Sequence, residues 1–345
     1  MQKKAAIDLG SANLFAVAGA NILLSEPSAV ALDRVTGQVL YYGARAEGLL
    51  AAPPRNVSLL RPFRNGVTAE LEYAEAILSG MIGEAFSGAS HLALSVPCSA
   101  GEIEEAALIE IAAHCNAKYP HTVYSPIAAI AGSGSSVRDQ ILSVELGASM
   151  TSIALVCDGE IVYMKSIPVA GEAFDRAIAA YLLRERGAKI SLRTAEAVKM
   201  TVGSVWSEGQ AREMQISARD PETSAPISLS VCSDEMYRAL EEPTAAILEA
   251  ICVAISHVPT KHVHEVFENG ILLSGGTALL DGLDRMITGV TGVKTVKARN
   301  PMTAVALGLD AILASLGDRA IVSARNLSGL YLRKCRSQSS GLLKG

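Results

Sequence analysis

Aromatic side chains make up only 4% of this 345-residue chain and charged ones 19%. With one Trp and five Phe, the core must be filled by Ala, Leu, Ile and Val. No Cys-x-x-Cys spacing occurs among Cys98, Cys115, Cys157, Cys232, Cys252 and Cys335, which fall mostly in apolar runs. Buried free thiols in a reducing compartment fit them better than disulfides or a metal cluster. His-Glu-x-x-His and Ser-His-Asp patterns are also missing, and His114, His121, His257, His262 and His264 read as surface residues. Positive charge is not in excess: 30 Lys and Arg stand against 35 Asp and Glu, and the net charge of −5 argues against general nucleic-acid binding. Asp8 interrupts any signal-peptide apolar region. The uncharged stretch Leu9–Ser25 is too broken by Gly and Asn to span a membrane. A cytoplasmic protein is expected.

What is present is a globular composition, half hydrophobic, and a length that favours two domains. Residues 318–345 hold six basic residues against Asp318 alone, about +5, which leaves about −10 for the remainder. Such a tail is either solvated and disordered or touches anionic lipid or an acidic partner. Apolar spacing predicts helices over Tyr73–Phe86, Glu102–Cys115, Phe174–Arg186, Thr194–Val202 (with Thr194 as N-cap), Ser233–Val258 (kinked at Pro243) and Met302–Leu316. Strands are expected at His91–Val96, from Val123 to Ser125-Pro126, and at Gly270–Leu273 and Val293–Val296.

One motif occurs twice. Ile7-Asp8-Leu9-Gly10-Ser11-Ala12-Asn13 leads into the apolar run from Leu14 to Ala18. Val144-Glu145-Leu146-Gly147-Ala148-Ser149-Met150-Thr151 leads, 137 residues later, into Ile153–Cys157. Each reads as a strand ending in an acidic residue, a tight turn of small residues, and a returning strand. Small residues at such a tip let backbone N–H groups approach an anion, and the acidic residue can hold hydrated Mg²⁺ beside it. Hairpins and crossover helices in two similar halves indicate a duplicated α/β architecture.

Five segments then follow in order: Asp8–Asn13, Tyr124–Ala129, Glu145–Thr151, Arg193–Lys199, and Leu273–Leu283 with its Ser274-Gly275-Gly276-Thr277-Ala278 turn. In this series the chain resembles the actin/Hsp70-type ATPases, specifically the bacterial actin homologues of the MreB type. The resemblance covers nearly the whole chain. It implies an actin-like fold of two RNase H-like domains, residues 1–138 and 139–317, flanking a nucleotide cleft, with 318–345 as a basic tail. It further implies ATP or ADP as ligand. Gly10, Ser11, Ala12 and Asn13 would contact phosphates from one side, and Gly147, Ala148, Ser149 and Met150 from the other. Asp8 and Glu145 would sit near Mg²⁺, directly or through water. Glu196, Ala197, Val198 and Lys199 would lie by the adenosine, with Glu196 and Lys199 on one helix face; alone, that pair reads as a surface ion pair. Gly275, Gly276, Thr277 and Ala278 would bring backbone to the nucleotide at a helix N-terminus. Gly171-Glu172 and Asp175 read as structural.

The departures from the family pattern bear on activity. The second loop has Glu145, Ala148, Ser149 and Met150 where the family commonly has Asp-Ile-Gly-Gly-Gly-Thr, and Thr151 is a candidate to restore the lost hydroxyl. Ser125 stands where the family usually has the Glu that positions the attacking water, and a serine is a poor base near neutral pH. Hydrolysis is therefore expected to be weak, unless Glu145 compensates. The resemblance implies a filament-forming, self-associating scaffold for cell shape and cell-wall synthesis, working with shape proteins at the inner face of the cell membrane. Membrane contact would come from the Phe86 loop or from the tail segment Leu327–Lys334. The alternative is a non-polymerising adaptor or regulator of the same fold.

Overall fold

The structure, a computed structural model, describes residues 3–49, 54–65, 67–68, 71–86, 89–115, 117–134, 140–207, 211–316, 325 and 328–333. The first half of the chain runs β1 (Lys3–Leu9), β2 (Asn13–Ala18), β3 (Asn21–Pro27), β4 (Val30–Asp33), β5 (Val39–Tyr42), α1 (Ala44–Gly48), β6 (Val57–Leu60), β7 (Phe63–Arg64), β8 (Val67–Thr68), α2 (Leu71–Phe86), β9 (Ala89–Val96), α3 (Glu102–His114), β10 (Tyr119–Tyr124) and α4 (Ser125–Gly132). The second runs β11 (Ile141–Leu146), β12 (Thr151–Cys157), β13 (Glu160–Ile167), α5 (Gly171–Arg186), α6 (Leu192–Val202), β14 (Glu213–Arg219), β15 (Pro226–Cys232), α7 (Ser233–Ala239), α8 (Glu241–Ser256), α9 (Val263–Asn269), β16 (Ile271–Ser274), α10 (Leu283–Thr291), β17 (Thr295–Lys297) and α11 (Ala304–Leu316).

The duplication is explicit in the sheets. One has the order β10-β9-β1-β2-β3, the other β13-β12-β11-β16-β17. In each, the first three strands in sequence form an antiparallel meander, and two later strands join parallel on the other side. The two small-residue turns, β1–β2 and β11–β12, therefore occupy equivalent places. β12 is buried along its whole length, as a central strand covered on both faces should be.

Each sheet has its own apolar core. The first is completed by α11, whose Leu309, Ile312 and Leu313 are buried in it, so the chain returns to its first lobe after building the second. α4 and α11 cross at backbone contact. A Cβ on Gly308 would overlap the Ala128 carbonyl, and one on Gly132 the Ala304 carbonyl.

Several expectations need correction. The long helix at 233–258 is two helices broken at Leu240; Pro243 lies in the first turn of α8, where its missing N–H costs nothing. α6 begins at Leu192, because the Ser191 hydroxyl, not Thr194, caps it by accepting the Thr194 N–H at 3.0 Å. The strand expected from Val123 begins at Tyr119, and its His121 is buried beside His91, the ring nitrogens 3.0 Å apart. His262 is also buried, bonded to Asp158 at 2.8 Å, whereas His114, His257 and His264 are exposed. Cys98 and Cys157 are buried free thiols, but Cys252 is exposed.

The basic tail is not wholly solvated. Residues 328–333 are helical, with Tyr331 and Leu332 in the first core. The Ser328 hydroxyl accepts the Tyr124 N–H at 3.4 Å. That burial removes this stretch of Leu327–Lys334 as a membrane-lying segment. Phe86 ends α2, but its side chain and residues 87–88 lie outside the described residues, as do 317–324 and 334–345. Among the described residues no single helix is long and apolar enough to cross a membrane.

Candidate functional site

The two turns face each other across the cleft between the sheets. Asp8 ends the cleft-facing part of β1 and accepts the Ser95 hydroxyl at 2.6 Å; the same hydroxyl receives the Leu9 N–H at 2.9 Å. Ser95 on β9 thus fixes both the carboxylate and the start of the first loop. Arg61 holds that loop from its other side, donating to the Ser11 and Ala12 carbonyls at 3.2 and 3.0 Å and to Glu47 at 3.0 Å. Arg61 thus fixes the loop through the Ser11 and Ala12 carbonyls, and the small residues of the turn leave its backbone approachable by an anion.

The second loop is braced inside its own lobe. The Gly147 N–H bonds to the Met150 carbonyl at 3.0 Å and closes the turn. The Gly147 carbonyl accepts the Thr277 hydroxyl at 2.7 Å and the Gly171 N–H at 3.2 Å, and the Ala148 carbonyl accepts the Glu172 N–H at 2.7 Å. The first N–H groups of α5 therefore bind the loop, in keeping with a structural part for Gly171-Glu172. Thr151 does not restore a hydroxyl to the cleft. It is buried and donates to the Val169 carbonyl at 2.6 Å.

Asp8 and Glu145 are sunk in the cleft floor, though each keeps part of its surface open to it. Burial pushes Asp8 up to about 6 against the Ser95 hydrogen bond. Burial, and then the charge of Asp8, push Glu145 up to about 8 against the hydroxyl of Ser125. Ser125, the first residue of α4, is buried and donates to Glu145 Oε2 at 3.3 Å. Two acidic groups buried in one cleft, one of them raised further by the charge of the other, fit a divalent cation, which would relieve the repulsion. The Ser274 hydroxyl, registered opposite Glu145, is buried without a hydrogen-bond partner.

The nucleotide-side residues divide. Gly275 has φ +82°, and a Cβ there would overlap the Leu146 carbonyl, so only glycine lets this turn reach the second loop. A Cβ on Gly276 would meet nothing within 4 Å, so this backbone opens onto free space. Gly276–Leu279 is a short 3₁₀ turn, not the expected α-helix N-terminus; Ala278 is in the second core. On α6, Glu196 is exposed, Ala197 lines a groove of about 310 Å³ with Arg193, Thr194 and Met214–Ser217, and Val198 is fully buried in the core. Lys199 does not pair with Glu196. Its ammonium bonds to Asp175 Oδ1 at 2.8 Å and to the Gly171 carbonyl at 3.0 Å. Ser95, Arg61, Asn65 and Asp175 complete the site; their contacts are distant in sequence, and spacing does not reveal them.

Both loops also touch directly. Ser11 Oγ and Ser149 Oγ are 2.7 Å apart, and the Asn65 N–H, from the turn between β7 and β8, donates to Ser149 Oγ at 3.0 Å.

Comparisons with known proteins bear on the family and the fold. Residues 2–320 match the MreB/Mbl protein family. The cell shape-determining protein Mbl of Bacillus cereus is 34% identical over 317 residues, 90% of this chain and 95% of that protein. The cell shape-determining protein MreB of Escherichia coli is 33% identical over 314 residues, 88% and 90% of the two chains. MreB5 of Spiroplasma citri bound to ADP superposes with a TM-score of 0.87 at 26% identity, over 92% of this chain and 97% of that one. The MamK double helical filament, with a TM-score of 0.78 at 18% identity over 92% and 100%, shares the fold. The architecture is actin-like, and the chain is a member of the MreB/Mbl family.

Proposed function

We propose that this protein is a nucleotide-binding, filament-forming scaffold for cell shape and cell-wall synthesis whose hydrolysis of ATP is weak. The observation that carries the last point is Ser125, which opens α4 with a hydroxyl and leans on Glu145 instead of supplying a carboxylate. A serine hydroxyl is a poor base near neutral pH, and Glu145 is engaged by Ser125 and, in this reading, by Mg²⁺, so neither residue is a ready base for water. Losing a general base typically costs about 10²–10⁴ in rate.

The two loops would hold the phosphate chain of ATP or ADP, with Asp8 and Glu145 beside Mg²⁺, directly or through water. Mg²⁺ would supply charge neutralisation to the phosphates. MreB5 has been solved with both ADP and AMPPNP, which supports a nucleotide in the equivalent cleft. The MamK filament supports self-association of the fold, and the names of Mbl and MreB support a part in cell shape. The working place is the cytoplasmic face of the cell membrane, beside shape and cell-wall synthesis proteins, reached through the Phe86 loop or the basic residues past 333.

A phosphate-release assay beside the Escherichia coli MreB tests the claim: turnover should be far lower, and equal turnover overturns it. The altered second loop, with Ala148, Ser149 and Met150, favours a second reading, a non-polymerising adaptor. Pelleting and electron microscopy with ATP separate the two. Filaments support the scaffold, and persistent monomers the adaptor.

A further inference from the structure

We infer that Ser149 is a clasp that joins the two phosphate loops across the cleft and competes with a nucleotide's phosphate chain for the space between them. This rests on the reading of the cleft as a nucleotide site. The Ser149 hydroxyl stands at the tip of the second loop, and both of its partners belong to the opposite lobe. It is hydrogen-bonded to Ser11 Oγ at 2.7 Å, with either hydroxyl able to donate, and accepts the Asn65 N–H at 3.0 Å, joining positions 138 and 84 residues apart in sequence. Asn65 adopts φ +53°, a left-handed conformation that asparagine tolerates better than most residues. Removing the side chain beyond Cβ leaves no atom at this point to bridge the lobes.

The consequence is competition. The Ser11 hydroxyl and the Asn65 N–H are groups that a phosphate oxygen would use as donors, and both are already hydrogen-bonded to Ser149. A charged phosphate makes the stronger bond and can displace the serine, but the neutral bonds must first be given up. Without them the cleft is freer to open and the donors are available. Loss of one or two neutral hydrogen bonds corresponds to about a three- to tenfold change in affinity.

The test uses the full chain and its Ser149→Ala and Ser149→Thr variants. Hydrogen–deuterium exchange over residues 8–13, 60–66 and 145–151 is followed without nucleotide, and a fluorescent ATP analogue with Mg²⁺ is titrated. Ser149→Ala should exchange faster in all three segments without nucleotide and bind the analogue about three- to tenfold tighter. Ser149→Thr, which keeps the hydroxyl, should exchange like the parent. Unchanged exchange in nucleotide-free Ser149→Ala overturns the clasp, as does an affinity that falls. If no variant binds the analogue, the nucleotide reading fails, while the exchange comparison still decides whether Ser149 joins the lobes.

Discussion

Ser125 donates its hydroxyl to Glu145 across 3.3 Å, so the first residue of α4 and the acid of the second loop form one hydrogen-bonded unit between the lobes. Replacing Ser125 with Glu would restore a carboxylate at that place. With Mg²⁺ present, Ser125→Glu should raise the rate of phosphate release by about 10²-fold, the lower end of what a positioned base contributes. In the absence of a divalent cation the variant should unfold more easily, since a third acidic group joins Asp8 and Glu145. A colorimetric phosphate assay read beside a urea melt checks both; an unchanged rate would show that the missing base does not limit turnover.

Lys199 and Asp175 form an ion pair whose side chains are 14% and 10% exposed. Burial pushes Asp175 above its ordinary value despite Lys199, so the pair does not fully offset its own desolvation. Removing only the cation with Lys199→Ala should therefore cost about 3 kcal/mol, by leaving an uncompensated carboxylate. Lys199→Met combined with Asp175→Leu should recover most of that loss. Urea midpoints of the single and double variants measure it.

His121 is held down at about 4 by burial, then by the neighbouring His91, then by Lys4. A folded-state value below the ordinary 6.5 means that the folded protein resists protonation. The contribution is fully present above pH 6.5 and is lost as pH falls towards 4. At pH 5 the loss is about 2 kcal/mol. Asp8 and Glu145, whose values are raised, act in the opposite sense in the nucleotide-free protein. The comparison is therefore made against His121→Gln, whose stability should fall less than the parent's between pH 7.5 and pH 5.

Gly308→Ala should destabilise the protein by about 2 kcal/mol, because the new methyl meets the Ala128 carbonyl, a backbone atom that cannot rotate away. Gly289→Ala, in α10 and with nothing within 4 Å, is the control and should be neutral or slightly stabilising. Thermal unfolding followed by circular dichroism distinguishes them.

The duplicated hairpins were legible in the sequence because an acidic strand end, small turn residues and a returning apolar run are all local signals. What failed was non-local or ambiguous. The break at Leu240 was hidden because a helical pattern runs through it and Pro243 suits a first turn. The short strands β5 to β8 escaped because their pairing partners, not their own periodicity, define them, and helix α1 because five residues are too few to show a period. Tyr119-Pro120-His121 looks like a loop, yet β9 takes it as a parallel strand. In the site, Asp8 and Glu145 were readable from the motif, whereas Ser95 lies 87 residues from Asp8 and Asp175 lies 24 from Lys199, distances that helix-face logic does not reach.

The crossing of α4 and α11 has a mechanical consequence. Glycine at 132 and 308 brings two backbones into contact, so the helices cannot be pressed closer, and each is anchored in an apolar core that resists sliding. α4 also begins at Ser125, in the cleft itself. Because both helices sit in the first core, their crossing ties Ser125 to that lobe, and any change in the gap between the phosphate loops is felt at the Ser125–Glu145 bond, not between the two helices.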